Sequence, residues 1–457
     1  MKDLAPVSVT GRTAPGGSAA GAALRRAAPA LAAYAAIRLL GLVVLAGWSA
    51  AEGRDWHALL TTRWDSLWYT RVAEQGYGFA VQLPDGEVHS SLAFFPLLPW
   101  LERGLSAVSP LSPADAGMVV AWLSSLAAAW ALYVTGERLH GPRAGVALAA
   151  LWAALPVGVV QSMAYSESLF TALAAWAGYA VLTGRWVWAG ALASLAGLTR
   201  PVGAAVVAAV WITAAVTLWR ERAGGGMGLC RKSRRPPEGR APRRPVRAIA
   251  RRRVAPILDV SGRSRQRSER ACRAARSRRD FRHRPIRLRA ALRARPGMAA
   301  GVLLAPLGWC GYFLWVAARQ GSLTGYLEVQ GGWGNGFDGG LAFAGFLRDQ
   351  LTGPGFAAGL GLLAGVGLVI WLYVHGVRRG QPLPLAVYGG LVLLLALAAK
   401  GYFGSKPRLM LPAYPLLLPP AAGLARWRPV WSGLVVGLLA VGSAVYGAFW
   451  LNGSGPP

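Results

Sequence analysis

Cysteine, acidic residues and histidine are all scarce in this 457-residue chain. It has three cysteines, 19 Asp and Glu residues and five histidines. Cys230, Cys272 and Cys310 lack the number and the CxxC spacing that a disulfide framework or a zinc site needs. Charged residues make up 15% of the chain and hydrophobic residues 54%, whereas about a quarter of a typical soluble chain is charged. The composition argues against a soluble protein and excludes disordered and collagen-like chains.

The chain contains long apolar runs, and eleven of them are candidate membrane spans. They cover about 28–51, 116–136, 143–161, 167–183, 186–201, 203–219, 298–318, 356–375, 383–399, 409–425 and 429–450. Arg200–Pro201 interrupts the stretch 186–219, which is therefore either two short spans or one kinked span. We predict an all-α, polytopic transmembrane helical bundle of about 11 spans, with interfacial helices in the first outer loop.

The formal net charge of +30 is concentrated in one segment. Residues 220–295 hold 27 of the 49 Lys and Arg residues but 5 of the 19 Asp and Glu residues, which leaves +8 for the rest of the chain. The segment has almost no aromatic residues to stack on bases, so we expect no nucleic-acid partner. It is either a disordered cytoplasmic loop that contacts anionic lipids or a product of a shifted reading frame, which would make this a damaged, nonfunctional homologue.

The basic residues of the short loops predict the orientation in the cell membrane. If the N-terminus is cytoplasmic, then so are the loops that contain the following arginines: Arg138, Arg143, Arg185, Arg378, Arg379, Arg426 and Arg428. The outer side receives 52–115, 162–166, 319–355 and 400–408. We divide the chain into a cytoplasmic tail (1–27), a transmembrane module (28–219), the Arg/Pro-rich insert (220–297), a second transmembrane module (298–450) and a tail (451–457).

The first outer loop carries the strongest chemical signal. Helical spacing over 66–75 predicts a helix on the membrane surface, with Asp65 at its start. Asp65 is either an N-cap or a partly desolvated carboxylate that accepts a proton from a substrate hydroxyl. The segment 91–100, with two prolines, predicts a re-entrant or interfacial helix.

Four cations fall on the predicted outer side, where Lys and Arg should be sparse: Arg200, Lys400, Lys406 and Arg408. Each of them either extends towards lipid headgroups or belongs to an anion site. Three of the four lie within nine residues. This clustering favours an anion site, and a lipid phosphate is the natural ligand.

Six motifs together resemble a known family, the PIG-V-type (GPI mannosyltransferase 2-like) mannosyltransferases of the GT-C glycosyltransferase class. The motifs are Trp64-Asp65, Ala73-Glu74-x-Gly76-Tyr77, Ala93-Phe94-Phe95-Pro96-Leu97-x-Pro99, Tyr165-Ser166-Glu167-Ser168-Leu169-Phe170, Leu198-Thr199-Arg200-Pro201-Val202-Gly203 and Lys406-Pro407-Arg408-Leu409-x-Leu411-Pro412-Ala413. They occur in the family's order and cover most of 28–219 and 298–450. The insert has no counterpart in the family.

The resemblance implies a polyprenyl-phosphate sugar donor, often mannose, and transfer to an acceptor hydroxyl on the outer face. It assigns Asp65 as the catalytic base, Glu167 as a second acidic residue, and Arg200, Lys406 and Arg408 as ligands of the donor phosphate. The other substrate-binding candidates are Trp64, Arg71, Glu74, Tyr77, His89 and Tyr165. One base without a nucleophile fits inverting displacement. Phosphate is a good leaving group once its charge is neutralised, so we expect no cofactor and the reaction requires no metal. The absence of an Asp-x-Asp motif argues against a nucleotide-sugar donor.

Three questions stay open at this point. A transporter or flippase of lipid-linked sugars is the alternative function, although no internal repeat is visible and the candidate residues cluster at the outer boundary. His57 either assists the reaction or is a solvated loop residue. Residues 319–355, which contain the Gly-rich stretch 331–336, form either an acceptor lid or an ordinary outer loop. The sequence leaves the acceptor and the sugar unidentified.

Overall fold

The computed structural model describes residues 19–84, 86–232, 295–453 and 455. Their contacts divide them into two units. Residues 19–216 and 297–455 form the first unit, and 217–232 with 295–296 belong to the second. In the second unit Arg295 pairs with Glu221 at 2.8 Å. Most of the predicted insert lies outside the described residues, as does most of the predicted N-terminal tail.

The described residues are mostly helical. The helices are α1 (Ala19–Ala51), α2 (Trp56–Thr61), α3 (Asp65–Gln75), α4 (Leu97–Ala107), α5 (Pro113–His140), α6 (Pro142–Ala153), α7 (Ser166–Leu182), α8 (Trp186–Gly197), α9 (Gly203–Lys232), α10 (Pro296–Leu304), α11 (Leu307–Gln320), α12 (Gly325–Gly332), α13 (Leu341–Thr352), α14 (Phe356–Arg378), α15 (Leu383–Ala398), α16 (Lys406–Leu409), α17 (Leu418–Leu424) and α18 (Pro429–Asn452).

Four short strands form two antiparallel pairs, and 3₁₀ turns fill several connections. The strands are β1 (Ala80–Gln82), β2 (Val88–Ser90), β3 (Gly336–Phe337) and β4 (Ala399–Lys400). In the first pair Val81 lies opposite His89, and in the second Gly336 lies opposite Lys400. The all-α prediction is confirmed, because these strands only fasten loops.

Six helical stretches in the described part of the chain are long and apolar enough to cross a membrane. They are Gly21–Ala51, Pro113–His140, Gly203–Glu221, Pro296–Gln320, Phe356–Arg378 and Pro429–Asn452. A chain with several such helices is an integral membrane protein. The count of eleven spans and the cytoplasmic N-terminus stay predictions.

Three of the predicted spans are not continuous α-helices. The run 298–318 is divided between α10 and α11 at Ala305–Pro306, and the other two are 409–425 and 143–161. The run 409–425 is divided among α16, a 3₁₀ turn (Tyr414–Leu417) and α17, and the run 143–161 ends its α-helix at Ala153. Prolines interrupt the run 409–425 at three points and the run 143–161 at Pro156, because each removes a backbone donor and clashes with the preceding turn. The stretch around Arg200–Pro201 resolves into two helices, α8 and α9.

Side chains satisfy the backbone where these helices break, as nonhelical chain inside a membrane protein requires. Arg38 of α1 donates to the carbonyl of Ala153 at 3.1 Å and to the Ser162 hydroxyl at 3.3 Å. The Trp152 indole donates to the carbonyl of Leu411 at 3.1 Å. These bonds anchor the connections that lead into α7 and out of α16.

Small residues let the helices approach closely. Gly190 of α8 lies against the backbone of Gly301 in α10, and a Cβ at either position would overlap with the neighbouring chain. Gly308 of α11 likewise contacts the carbonyl of Ser194 in α8. This packing fixes the end of α8, from which Arg200 follows directly.

Candidate active site

Four charged side chains from four separate segments form one ion-pair chain. Arg408 Nη1 lies 2.9 Å from Asp65 Oδ2, and Arg408 Nε lies 3.3 Å from Glu167 Oε1. Arg200 Nη1 lies 2.5 Å from the same Glu167 oxygen. The two carboxylates and two guanidinium groups are separated by up to 343 positions in sequence, so only the fold brings them together. We call these four residues the charged cluster.

The backbone at the start of α3 directs Asp65 into the cluster. Ser66 caps this turn, because its hydroxyl donates to the Arg63 carbonyl at 2.6 Å and accepts the Arg63 N–H at 3.1 Å. Asp65 is the first helical residue, and its carboxylate reaches Arg408. Trp64 has a φ of +52° and is the one non-glycine residue with positive φ in the described chain. Such backbone strain clusters at functional sites.

The start of α7 supplies the second carboxylate and its supports. Tyr165 is extended and Glu167 lies in the first helical turn. The Tyr165 hydroxyl accepts the Asp65 N–H at 3.3 Å, and its ring faces the Arg408 guanidinium at 5.1 Å. Tyr165 therefore links the two carboxylate segments.

Ser166 and Tyr69 extend this network, although sequence analysis did not select either one. Ser166 Oγ lies 2.8 Å from the Tyr69 hydroxyl and accepts a hydrogen bond from Arg200 at 3.2 Å. Tyr69 stands one helical turn after Asp65, on the same side of α3. That spacing is the one signal by which the sequence could have indicated it.

The two carboxylates differ in exposure. The Glu167 side chain is 1% exposed, whereas that of Asp65 is 25% exposed. Burial lowers the pKa of Arg408, but the neighbouring Asp65 and Glu167 carboxylates more than offset it and leave that pKa raised. Glu167 Oε2 has no hydrogen-bond partner among the described residues. Asp65 is thus the carboxylate that a solvent-side hydroxyl can reach, and Glu167 is a buried counterion.

Lys406 lies apart from the charged cluster. Its ammonium group donates to the carbonyls of Ala396 and Ala399 at 2.7 and 2.8 Å. It also faces the Phe343 ring at 4.8 Å. Burial lowers its pKa, which Asp338 partly opposes. In this arrangement Lys406 fastens the end of α15.

Tyr77 and His89 lie in an aromatic layer beside α3. The Tyr77 hydroxyl donates to the carbonyl of Phe94 at 2.8 Å. His89 stacks on Trp333 with ring centroids 4.0 Å apart. Trp333 belongs to the Gly-rich stretch, and a Cβ on its neighbour Gly332 would overlap with the carbonyl of Val88. The stretch therefore packs closely on the β1–β2 hairpin.

The remaining candidates lie away from the cluster. Arg71 and Glu74 are exposed on the outer face of α3. His57 Nε2 lies 2.7 Å from Asp115 Oδ1, which joins α2 to the start of α5. No group of His, Cys, Asp and Glu within the described ranges is arranged to hold a metal ion.

Glu102 is a further buried carboxyl that sequence analysis missed. It lies on α4, is 0% exposed, and neither oxygen has a hydrogen-bond partner in the described chain. Its carboxyl group lies against Gly117 of α5, where an added Cβ would overlap with it. Burial, with a smaller effect of Glu74, raises its pKa well above the ordinary value.

Comparisons with known proteins give one structural likeness. No protein-family profile and no curated protein matches the chain. Among solved structures, the chain is similar to the crystal structure of ArnT from Cupriavidus metallidurans bound to undecaprenyl phosphate. The TM-score is 0.46 and the identity 13%, over 88% of this chain. The chain spans 62% of the length of that protein.

Proposed function

We propose that this protein is a membrane glycosyltransferase of the GT-C class. It transfers a sugar, mannose in the first instance, from a polyprenyl-phosphate donor to an acceptor hydroxyl on the outer face. The single observation that supports this proposal is the charged cluster, in which a reachable carboxylate and two guanidinium groups meet at helix ends. The family resemblance of the motifs that carry these residues agrees with it.

The chemistry follows from what glycosyl transfer requires. Asp65 accepts the proton of the acceptor hydroxyl, and the oxygen attacks the anomeric carbon of the sugar. The bond from that carbon to the phosphate oxygen breaks, and the polyprenyl phosphate leaves with the electron pair. A single displacement of this kind inverts the anomeric configuration.

The guanidinium groups balance the charge on the departing phosphate. Arg408 and Arg200 can each offer a planar pair of donors to two phosphate oxygens. Glu167 holds both of them from its buried position, which keeps the donors oriented before substrate arrives. The aromatic layer beside α3, with Tyr77, His89 and Trp333, adjoins this centre and is a place for substrate contact.

Sugar transfer from radiolabelled polyprenyl-phosphate mannose tests the proposal. Membranes that contain the protein should form labelled product with inverted configuration, and membranes that lack it should not. The Asp65→Asn variant should bind donor but form no product. Donor that crosses the bilayer unconverted, at equal rates in both proteins, would instead indicate a transporter and refute the proposal.

A further inference from the structure

A second concave site lies at the far end of α5 from the charged cluster. The start of α5 joins α2 through the Asp115–His57 pair, close to the segment that carries Asp65. The helix has 28 residues, so its two ends are about 40 Å apart. At its last residue, His140, a cleft of about 520 Å³ opens between the α5–α6 turn and the end of α17.

Two arginines and a histidine line this cleft, and each comes from a different element. His140 ends α5, Arg143 lies in the first turn of α6, and Arg426 follows α17. No acidic side chain is among the described residues that line it, and neither arginine pairs with a described carboxylate. The acidic residue one turn earlier, Glu137, accepts a hydrogen bond from Tyr133 at 2.9 Å.

The backbone adds to the positive potential of the cleft. Gly141 has a φ of +91°, which turns the chain sharply from α5 into α6. Pro142 then begins α6, so the N-terminal end of this 12-residue helix borders the cleft. A helix N-terminus favours anions because its dipole and its free N–H groups point outward.

Exposed aromatic residues place the cleft at the depth of lipid headgroups. Trp427 directly follows Arg426, and Trp431 lies one turn later at the start of α18; their side chains are 52% and 57% exposed. Exposed tryptophans at the ends of membrane helices mark the boundary between lipid and water. Apolar Val430 and Leu434 continue the exposed face of α18. The cleft therefore opens where phosphate groups of anionic lipids lie.

We propose that this cleft binds a phosphate group, carried by an anionic lipid headgroup or free in solution. Two arginine forks from different elements suit a tetrahedral anion, which accepts paired hydrogen bonds. Basic clefts between transmembrane helices bind lipid headgroups in the same way. The site is distinct from the charged cluster, with which it shares no residue, and it does not depend on the proposed transferase activity.

Binding of phosphatidic acid to the full-length protein in neutral detergent, followed by native mass spectrometry, tests this site. The Arg143→Gln/Arg426→Gln variant should bind about thirtyfold more weakly than the wild type, and each single variant about fivefold more weakly. The single variants serve if the double variant does not fold. The control is Arg378→Gln/Arg379→Gln, which removes two exposed arginines at the end of α14 that are not among the residues lining the cleft; it should bind like the wild type.

Inorganic phosphate distinguishes the two sources of the ligand. If it displaces phosphatidic acid from the wild type, the site accepts free phosphate; if it does not, the site requires the lipid, and both results support a phosphate site. Phosphatidylcholine, whose headgroup has no net charge, should not compete. Equal binding by the wild type and the cleft variants would overturn the proposal, as would an equal loss in the control, since that would indicate general attraction to surface charge.

Discussion

Two fully buried glutamates lie in contrasting surroundings in this protein. Glu167, at the start of α7, faces the guanidinium groups of Arg200 and Arg408. Glu102, on α4, lies against Gly117, and its oxygens have no hydrogen-bond partner among the described residues. Burying a carboxylate is costly unless it is paired with a cation. Burial therefore raises the pKa of Glu102 well above its ordinary value, whereas Glu167 has two guanidinium partners.

The contrast between the two glutamates shows that ion pairing, and not burial alone, marks a candidate catalytic site. Burial alone is shared by both glutamates and points to no chemistry. The pairing of Glu167 with two arginines, beside a second carboxylate that is partly exposed, provides opposite charges held ready for a reaction. Glu102 has no cation beside it among the described residues and offers no charge to a substrate.

Of the substitutions considered, removal of Arg408 should have the largest effect on the region around Glu167. Arg408→Gln leaves Asp65 and Glu167 without a shared cation, so we expect sugar transfer to fall by about 10³-fold. The free energy of unfolding should fall by about 3 kcal/mol, because the buried Glu167 carboxylate loses one of its two cations. Transfer assays and thermal unfolding measure the two effects. Arg379→Gln, an exposed arginine outside the cluster, is the matched control and should change neither.

Sequence patterns predicted the helical class and the start of α3, because apolar runs and helical spacing are local properties. Asp65, Glu167, Arg200 and Arg408 were also selected, from motifs and from their unusual position on the predicted outer side. Their pairing was not predictable, since the partners are far apart in the chain and meet only through tertiary packing.

The contacts of Lys406 could not be predicted from its motif. Lys406 is two positions from Arg408 and shares its motif, yet its ammonium group donates to carbonyls at the end of α15. The one-turn helix α16 turns the two side chains towards different neighbours. The continuous span predicted over 409–425 failed for a related reason: hydropathy detected the apolar run, but its prolines divide the helix.

Glu102→Gln tests whether the glutamate without a cationic partner is protonated in the folded protein. Because burial raises the pKa of Glu102, the folded state keeps a proton that the unfolded state releases above its ordinary pKa of 4.5. The free energy of unfolding of the wild type should therefore fall, by up to about 1.4 kcal/mol per pH unit, as the pH rises from 4.5 towards the raised value.

The amide that replaces the Glu102 carboxyl does not titrate, so the variant should lack this component of the pH dependence. It should be more stable than the wild type at pH 8 and close to it at pH 5, with sugar transfer retained. Thermal unfolding at both pH values makes the test. If the variant loses stability equally at the two values, Glu102 is not a neutral buried acid.

Arg71→Gln should have the smallest effect. Arg71 lies on the exposed face of α3 and forms no ion pair with the described residues around Glu167 or Glu102. Its substitution should therefore change the free energy of unfolding by less than about 0.5 kcal/mol. A raised KM for the donor with unchanged kcat would show that Arg71 contributes to substrate binding. Unchanged values of both would remove it from the substrate-binding candidates.

The most direct measurement is the single-turnover rate of sugar transfer with saturating polyprenyl-phosphate mannose, comparing Asp65→Asn with Asp55→Asn. Asp55 lies in the same segment but caps α2, where its carboxylate accepts the His57 N–H at 2.9 Å. If Asp65 is the base, its variant should lose transfer by about 10³-fold or more while still binding donor, and the Asp55 variant should stay close to the wild type. Equal rates for the Asp65 variant and the wild type would contradict the assignment of the charged cluster as the catalytic centre.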